Sequence, residues 1–247
     1  MERLIRRAAP YVSTWEWQRA RAEAVGDREA PEALLLVEHL PVYTLGQRSD
    51  PAHLLHDQSA LRALGADVVW SDRGGDVTWH GPGQITGYPI LDLNTRGRDL
   101  HAYVTNIEQL LIDVCSAYGI EAHRADGMPG VWVGREKVAA IGVRFTRRWV
   151  TYHGFALNVS NDVAWFEHIV PCGLHGFGVT TLSRLLGRTV EWEEAAQRVS
   201  LCFDRLFEPH TAVQSDRDLP GRRGADHVGG MRAAGVGRGA AAGARAR

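Results

Sequence analysis

The chain has 247 residues, a formal net charge of −1, and 45% hydrophobic and 23% charged residues; it can bury a sizeable core, and no global charge bias draws it to nucleic acid or a membrane. Three cysteines make no disulfide framework and point to reduced thiols, and no apolar run approaches the roughly 20 residues of a membrane span. Without an apolar signal core at its start, the chain is expected to be cytoplasmic.

Residues 11–25 predict a helix, with Ser13 or Thr14 as N-cap and Gly26 closing it. ALLLVEHL (33–40) and VYTLG (42–46) predict strands on either side of Pro41, 57–64 a short helix stopped by Gly65, and DVVW (67–70) a further strand. Between 73 and 83, Gly74, Gly75, Gly81 and Gly83 require sharp turns or a close approach, with Arg73, Thr78, His80 and Gln84 alternating among them before the strand ITGYPIL. The block suits a substrate cradle or a tight hairpin. It is not a P-loop, because no Gly-Lys-Ser/Thr closes it, and it does not match GxGxxG.

The clearest helix spans 99–119, where Leu100, Tyr103, Val104, Ile107, Leu110, Leu111, Val114, Cys115 and Tyr118 form one apolar stripe. Cys115 is therefore core filling. VWVG and KVAAIGVRF predict a β-hairpin turning at 134–136, and 149–159 the next strand. Gly142 and Gly154 remove side chains where a ligand or another backbone passes, or mark bulges. Short helices are expected at 162–169, 178–187 and 191–207, Thr189 capping the last and Cys202 on its apolar face. From Asp216 to Arg247 seven Arg stand against three Asp, or +4, leaving −5 for the rest; this Gly/Ala/Arg tail is expected to be disordered.

Lys137 is the only lysine, the other 27 basic residues being arginine. Lysine differs from arginine in giving up its proton near neutral pH when desolvated. Cys172, in the Pro-Cys-Gly turn at 171–173, is the one thiol off an apolar stripe. Together they are parts of an activated nucleophile; a solvated lysine and a buried thiol are the plainer alternative. A thiol of pKa about 8.5 is only ~3% ionised at pH 7, and raising that to one half takes about 2 kcal/mol. One ammonium at ~4 Å supplies about 4 kcal/mol at an effective dielectric near 20. A relayed proton suits acyl transfer, where it goes to a leaving thiol and is later recovered. Two other arrangements stay open: a zinc site from His153, His168, Cys172 and His175, lacking a second close ligand pair, and a Cys/His dyad using His80 or His153, without a protease-like signature.

EHLPVYTLGQRSD (38–50), RGGDVTWHGPGQITGYPILDL (73–93), GREKVAAIGVR (134–144), TYHGFALNV (151–159) and IVPCG (169–173) together resemble the lipoyl(octanoyl) transferases of lipoate synthesis, in order, over roughly residues 10–207. The resemblance implies an α/β (α+β) fold of the biotin/lipoate protein ligase-like superfamily: a mixed β-sheet with flanking helices, lining an acyl tunnel. It implies one catalytic domain over 1–213 and leaves 214–247 aside. It makes Cys172 the acyl-thioester nucleophile and Lys137 the group that lowers its pKa and relays the proton. The substrate would be lined by Arg73, Gly74, Gly75, Asp76, Val77, Thr78, Trp79 and His80, then Ala140, Ile141 and Gly142, then Gly154, Phe155 and Ala156, with backbone amides at those glycines binding the thioester oxygen. The donor implied is octanoyl-acyl carrier protein, and the acceptors are lipoyl domains of 2-oxoacid dehydrogenases and the glycine cleavage H protein, with no metal or cofactor. Both partners are usually acidic, so Arg144, Arg147 and Arg148 are expected docking residues. Two features depart from the pattern: Thr180-Thr181-Leu182 for the more common Thr-Ser-Leu, and an extra residue at 147–149 that puts the strand register in doubt. Related ATP-dependent lipoate and biotin ligases lack the nucleophilic cysteine, and their Gly-rich adenylate motifs are missing here. Such a ligase, or an inactive carrier-binding module, is the rival reading.

Overall fold

The structure, a computed structural model, describes residues 1–170 and 177–207. Cys172, the turn at 171–173, His175 and the predicted tail lie outside the described residues. In chain order the first half contains β1 (Glu2–Ala9), α1 (Tyr11–Gly26), β2 (Ala33–His39), β3 (Val42–Leu45), α2 (Gln58–Ala63), β4 (Asp67–Trp70), β5 (Thr78–His80) and β6 (Gln84–Ile90). The second half contains α3 (Leu100–Ser116), β7 (His123–Ala125), β8 (Met128–Val133), β9 (Glu136–Phe145), β10 (Thr151–Asn158), β11 (Gly178–Val179), α4 (Leu182–Leu186) and α5 (Trp192–Phe207).

A mixed sheet runs in the order β1-β2-β6-β10-β9-β8-β7, with β11 on a branch against β9. The apolar run of β2 is continuous because both its faces are covered. Leu34 and Leu36 join Ile85, Phe155 and Leu157 against Ile107, Leu110 and Leu111 of α3 and Val199 and Phe203 of α5. On the other face Leu35 and Val37 pack with Tyr88, while Ala22 and Val25 of α1 cover Ile90 and Val150. The stripe expected of α3 is buried at Tyr103, Ile107, Leu110, Leu111, Val114 and Cys115, and Asp99 caps the helix by accepting from the Ala102 N–H. Burial pushes the Cys115 thiol up to about 12, so it is chemically inert.

A second, three-stranded sheet in the order β4-β3-β5 stands beside the first. Its own core holds Tyr43, Leu45, Leu61, Val68 and Trp79, with Trp165 stacked on Trp79 at 5.6 Å. β5 pairs with β3 and β6 pairs with β2 and β10, so 73–93 is no hairpin: it crosses from one sheet to the other.

Several local expectations are corrected. α1 starts at Tyr11 after an extended Pro10, and Thr14 lies inside the first turn, donating to the Pro10 carbonyl rather than capping. Gly178–Val179 is a strand, and the helix expected over 178–187 is confined to α4, where the Thr181 side chain accepts from the Arg184 N–H. The extra residue at 147–149 does not disturb the register: β10 and β9 pair without a break from Thr151 with Phe145 to Leu157 with Ala139.

Candidate active site

A cavity of about 390 Å³, in the size range of small-molecule sites, opens between the two sheets. It is lined by Arg73, Gly75, Asp76, Val77, Thr78 and His80 from the crossing segment, by Lys137, Ala140, Ile141 and Gly142 of β9, and by Gly154, Phe155 and Ala156 of β10. Of the residues singled out in the sequence, Gly74 and Trp79 are not among the lining. The Gly74 N–H donates to the Val143 carbonyl at 3.2 Å, and Trp79 is fully buried in the small-sheet core.

The glycines make room mainly for backbone. A Cβ on Gly142 would stand 2.7 Å from the Gly74 carbonyl, and one on Gly154 would overlap the Gly87 carbonyl and lie 2.7 Å from Pro89 Cδ. Arg73 fastens the crossing segment to the small sheet: its Nε donates to Thr44 Oγ1 at 3.0 Å, and its terminal nitrogens donate to the Gly74 carbonyl at 3.0 Å and the Thr44 carbonyl at 2.5 Å.

A buried polar layer completes the inner wall, and most of it escapes the sequence reading. Tyr11 stacks on His80 at 6.0 Å; His80 Nδ1 donates to Gln84 Oε1 at 2.8 Å, and Gln84 Nε2 donates to Asn158 Oδ1 at 3.0 Å. Burial, with the His39 and Arg73 charges, holds His80 well below the usual histidine range. Neutral, with Thr44 Oγ1 3.4 Å from its other nitrogen, it has partners on both sides. Tyr11, Gln84, Thr86, Tyr88 and Asn158 also line the cavity. One sequence signal pointed there: α1 buries Tyr11, Thr14 and Gln18 at helical spacing, a polar stripe facing inward.

His153 sits in β10 with a left-handed φ of 55°, a cost for a non-glycine residue. Two bonds fix it there: its N–H donates to Gln18 Oε1 at 2.9 Å, and its Nε2 donates to Asp72 Oδ1 at 2.8 Å. His168 keeps other company, packing on His56 and Tyr43, so the structure does not bring these two histidines together. Burial alone would raise the Asp72 carboxyl, but hydrogen bonds from His153 and Tyr152 and the charge of Arg144 outweigh it and bring it to about 2. A depressed carboxylate stabilises the fold above its unfolded pKa of about 4, and that contribution disappears as pH falls through about 2. Asp72→Asn is expected to cost about 1–2 kcal/mol at pH 7, since the group is partly exposed, and the gap should close toward pH 2 in urea titrations.

Lys137 stands at the start of β9, its Nζ 4.6 Å from the centre of the Trp132 ring and donating to the Pro129 carbonyl at 3.4 Å. β11 runs parallel beside it: Val179 pairs with Lys137, and the Thr180 N–H donates to the Lys137 carbonyl at 3.0 Å. Of the arginines proposed for docking, Arg144 faces Asp72 at 3.8 Å and Arg148 pairs with Asp27, while Arg147 is exposed. Among the described residues no helix is long and apolar enough to cross a membrane.

Sheets, flanking helices and cavity together define a catalytic domain of the lipoate protein ligase fold. A lipoate-protein ligase A bound with ATP superposes with a TM-score of 0.65 at 13% identity, over 83% of this chain and 84% of that one. A putative lipoate protein ligase from T. acidophilum with bound lipoic acid gives 0.63 at 14% identity, over 83% and 85%. In sequence, residues 10–204 match the lipoyl protein ligase A/B catalytic domain. The octanoyltransferase of Rubrobacter xylanophilus is 48% identical over 182 residues, 73% of this chain and 81% of that one. That of Geobacter sulfurreducens is 48% identical over 213 residues, 84% and 87%. The chain belongs to the lipoyl protein ligase A/B catalytic-domain family, in its octanoyltransferase branch, and is an acyltransferase.

Proposed function

We propose that this protein transfers an octanoyl group from octanoyl-acyl carrier protein to a lysine ε-amine of a lipoyl domain, in the cytoplasm, through a thioester on Cys172. The observation that carries the reading is that the chain's single lysine lines the cavity and is paired with the strand that begins six residues after Cys172. The Cys172 thiolate attacks the donor thioester, the bond to the carrier sulfur breaks, and Lys137 gives that sulfur its proton. The acceptor amine then attacks the acyl-cysteine, forming the amide, returning a proton to Lys137 and releasing the Cys172 thiolate. Of the residues expected to line the substrate, those that line the cavity, Arg73, Gly75, Val77, Thr78 and His80, Ala140 to Gly142 and Gly154 to Ala156, hold the acyl chain and its carbonyl. We read residues 1–213 as the catalytic domain and 214–247 as an appendage outside it.

Incubation with octanoyl-carrier protein, without ATP, is expected to add one octanoyl group to the wild-type enzyme and none to Cys172→Ala, as read by intact mass. An adduct or a transfer that strictly requires ATP would place the chain with the ligases instead.

A further inference from the structure

Among the described residues lining the cavity, Asp76 is the only carboxylate, and it shares that lining with the cations Arg48, Arg73 and Lys137. Its carboxylate is fixed on both sides. Oδ1 accepts the Val77 N–H at 2.7 Å, and Oδ2 accepts from His53 Nδ1 at 2.6 Å. His53 comes from a different element, the short 3-10 turn Pro51–His53, which Asp50 caps. The Asp76 side chain is 12% exposed and that of His53 29%, so the pair runs from the cavity wall toward solvent. Each carboxylate oxygen retains a second lone pair for a donor arriving from the cavity.

The three cations suit an acyl carbonyl that gathers negative charge, but Arg48 and Arg73 repel the other substrate even after Lys137 has given up its proton. An amine nucleophile on a protein lysine arrives as an ammonium. It approaches this wall most readily beside an anion, and among the described lining residues Asp76 is the carboxylate that offers one. We propose that Asp76, held in place by His53, seats the acceptor's ammonium beside the acyl group, so that it serves the amine rather than the acyl chain. The proposal rests on the acyl-transfer reading above. In the second half-reaction the seated ammonium returns one proton to Lys137, which lost its own to the carrier thiol. The neutral amine attacks, the carbon–nitrogen bond forms and the carbon–sulfur bond breaks, Cys172 leaves as thiolate, and the surplus nitrogen proton goes to solvent. Asp76 touches the substrate; His53 is a positioning residue.

The test compares two nucleophiles on the same acyl-enzyme: a lipoyl-domain lysine, charged at neutral pH, and hydroxylamine, which is uncharged there. For Asp76→Asn the ratio of lysine to hydroxylamine transfer is expected to fall at least tenfold, with a raised KM for the acceptor, and Asp76→Glu should restore part of it. His53→Gln should lower the same ratio by a smaller factor, and it decides the matter if Asp76→Asn does not fold. A ratio unchanged in the folded variants, with both nucleophiles slowed alike, would leave the pair a loop brace and overturn the proposal. If the wild-type enzyme forms no acyl adduct at all, the acyl-transfer reading fails instead.

Discussion

Lys137→Arg is expected to fold normally and to transfer acyl groups at least about 100-fold more slowly than the wild type, the low end of what a positioned acid–base group contributes. Arginine keeps the positive charge that favours a thiolate, and a guanidinium also sits well over the Trp132 ring. What it lacks is a proton it can release and take back near neutral pH. The variant therefore separates charge from titration. Acylation of Cys172, which needs the charge and one proton given, should suffer less than turnover, which also needs that proton recovered. Melting temperatures should agree within the shift that ~0.5 kcal/mol produces, since Lys137 lies at the rim of the core. A wild-type turnover rate in stopped assays would remove the proton relay from the mechanism.

Gly154→Ala is expected to be the most damaging single methyl that can be added near the site. The new Cβ would overlap the Gly87 carbonyl and press on Pro89 Cδ, both on the neighbouring central strand β6. A backbone carbonyl and a proline ring cannot rotate away, so the strands must part, at a cost of about 3 kcal/mol. For a domain of this size that lowers the melting temperature by about 6–12 °C. It also shifts Phe155 and Ala156, which line the cavity, so activity should fall even at temperatures where the variant is folded. Gly97→Ala is the control: φ there is 84°, nothing lies within 4 Å, and only the left-handed backbone is penalised, by about 1 kcal/mol. Equal losses in the two variants, by calorimetry, would contradict the close-packing account of Gly154.

How much of this could be read from the chain follows from where the information sits. α3 was legible because its stripe repeats at helical spacing against a single core, and β2 because both its faces are buried. β1 was not: ERLIRRAA shows no apolar alternation, and its strand exists because it pairs in parallel with β2, an interaction 30 residues away. The short pairing of β11 with β9 is equally tertiary. At the site, the motif around Arg73 to His80 announced itself through its glycines and polar alternation. Tyr88 and Asn158 did not, being single residues on strands that only the sheet order brings to one wall. Of the ligand, backbone or bulge expected at Gly142 and Gly154, the nearest neighbour is backbone.

The joint between β5 and β6 has one last consequence. Gly83 donates its N–H to Glu38 Oε1 at 2.9 Å and accepts from the Ser160 N–H at 2.9 Å, and any side chain there would collide with Asn161. The strap that crosses between the sheets is thus riveted at its midpoint to two other parts of the chain, and it cannot serve as a hinge. The bore of the cavity is set once, as the protein folds, and every acyl chain delivered to it meets the same gauge.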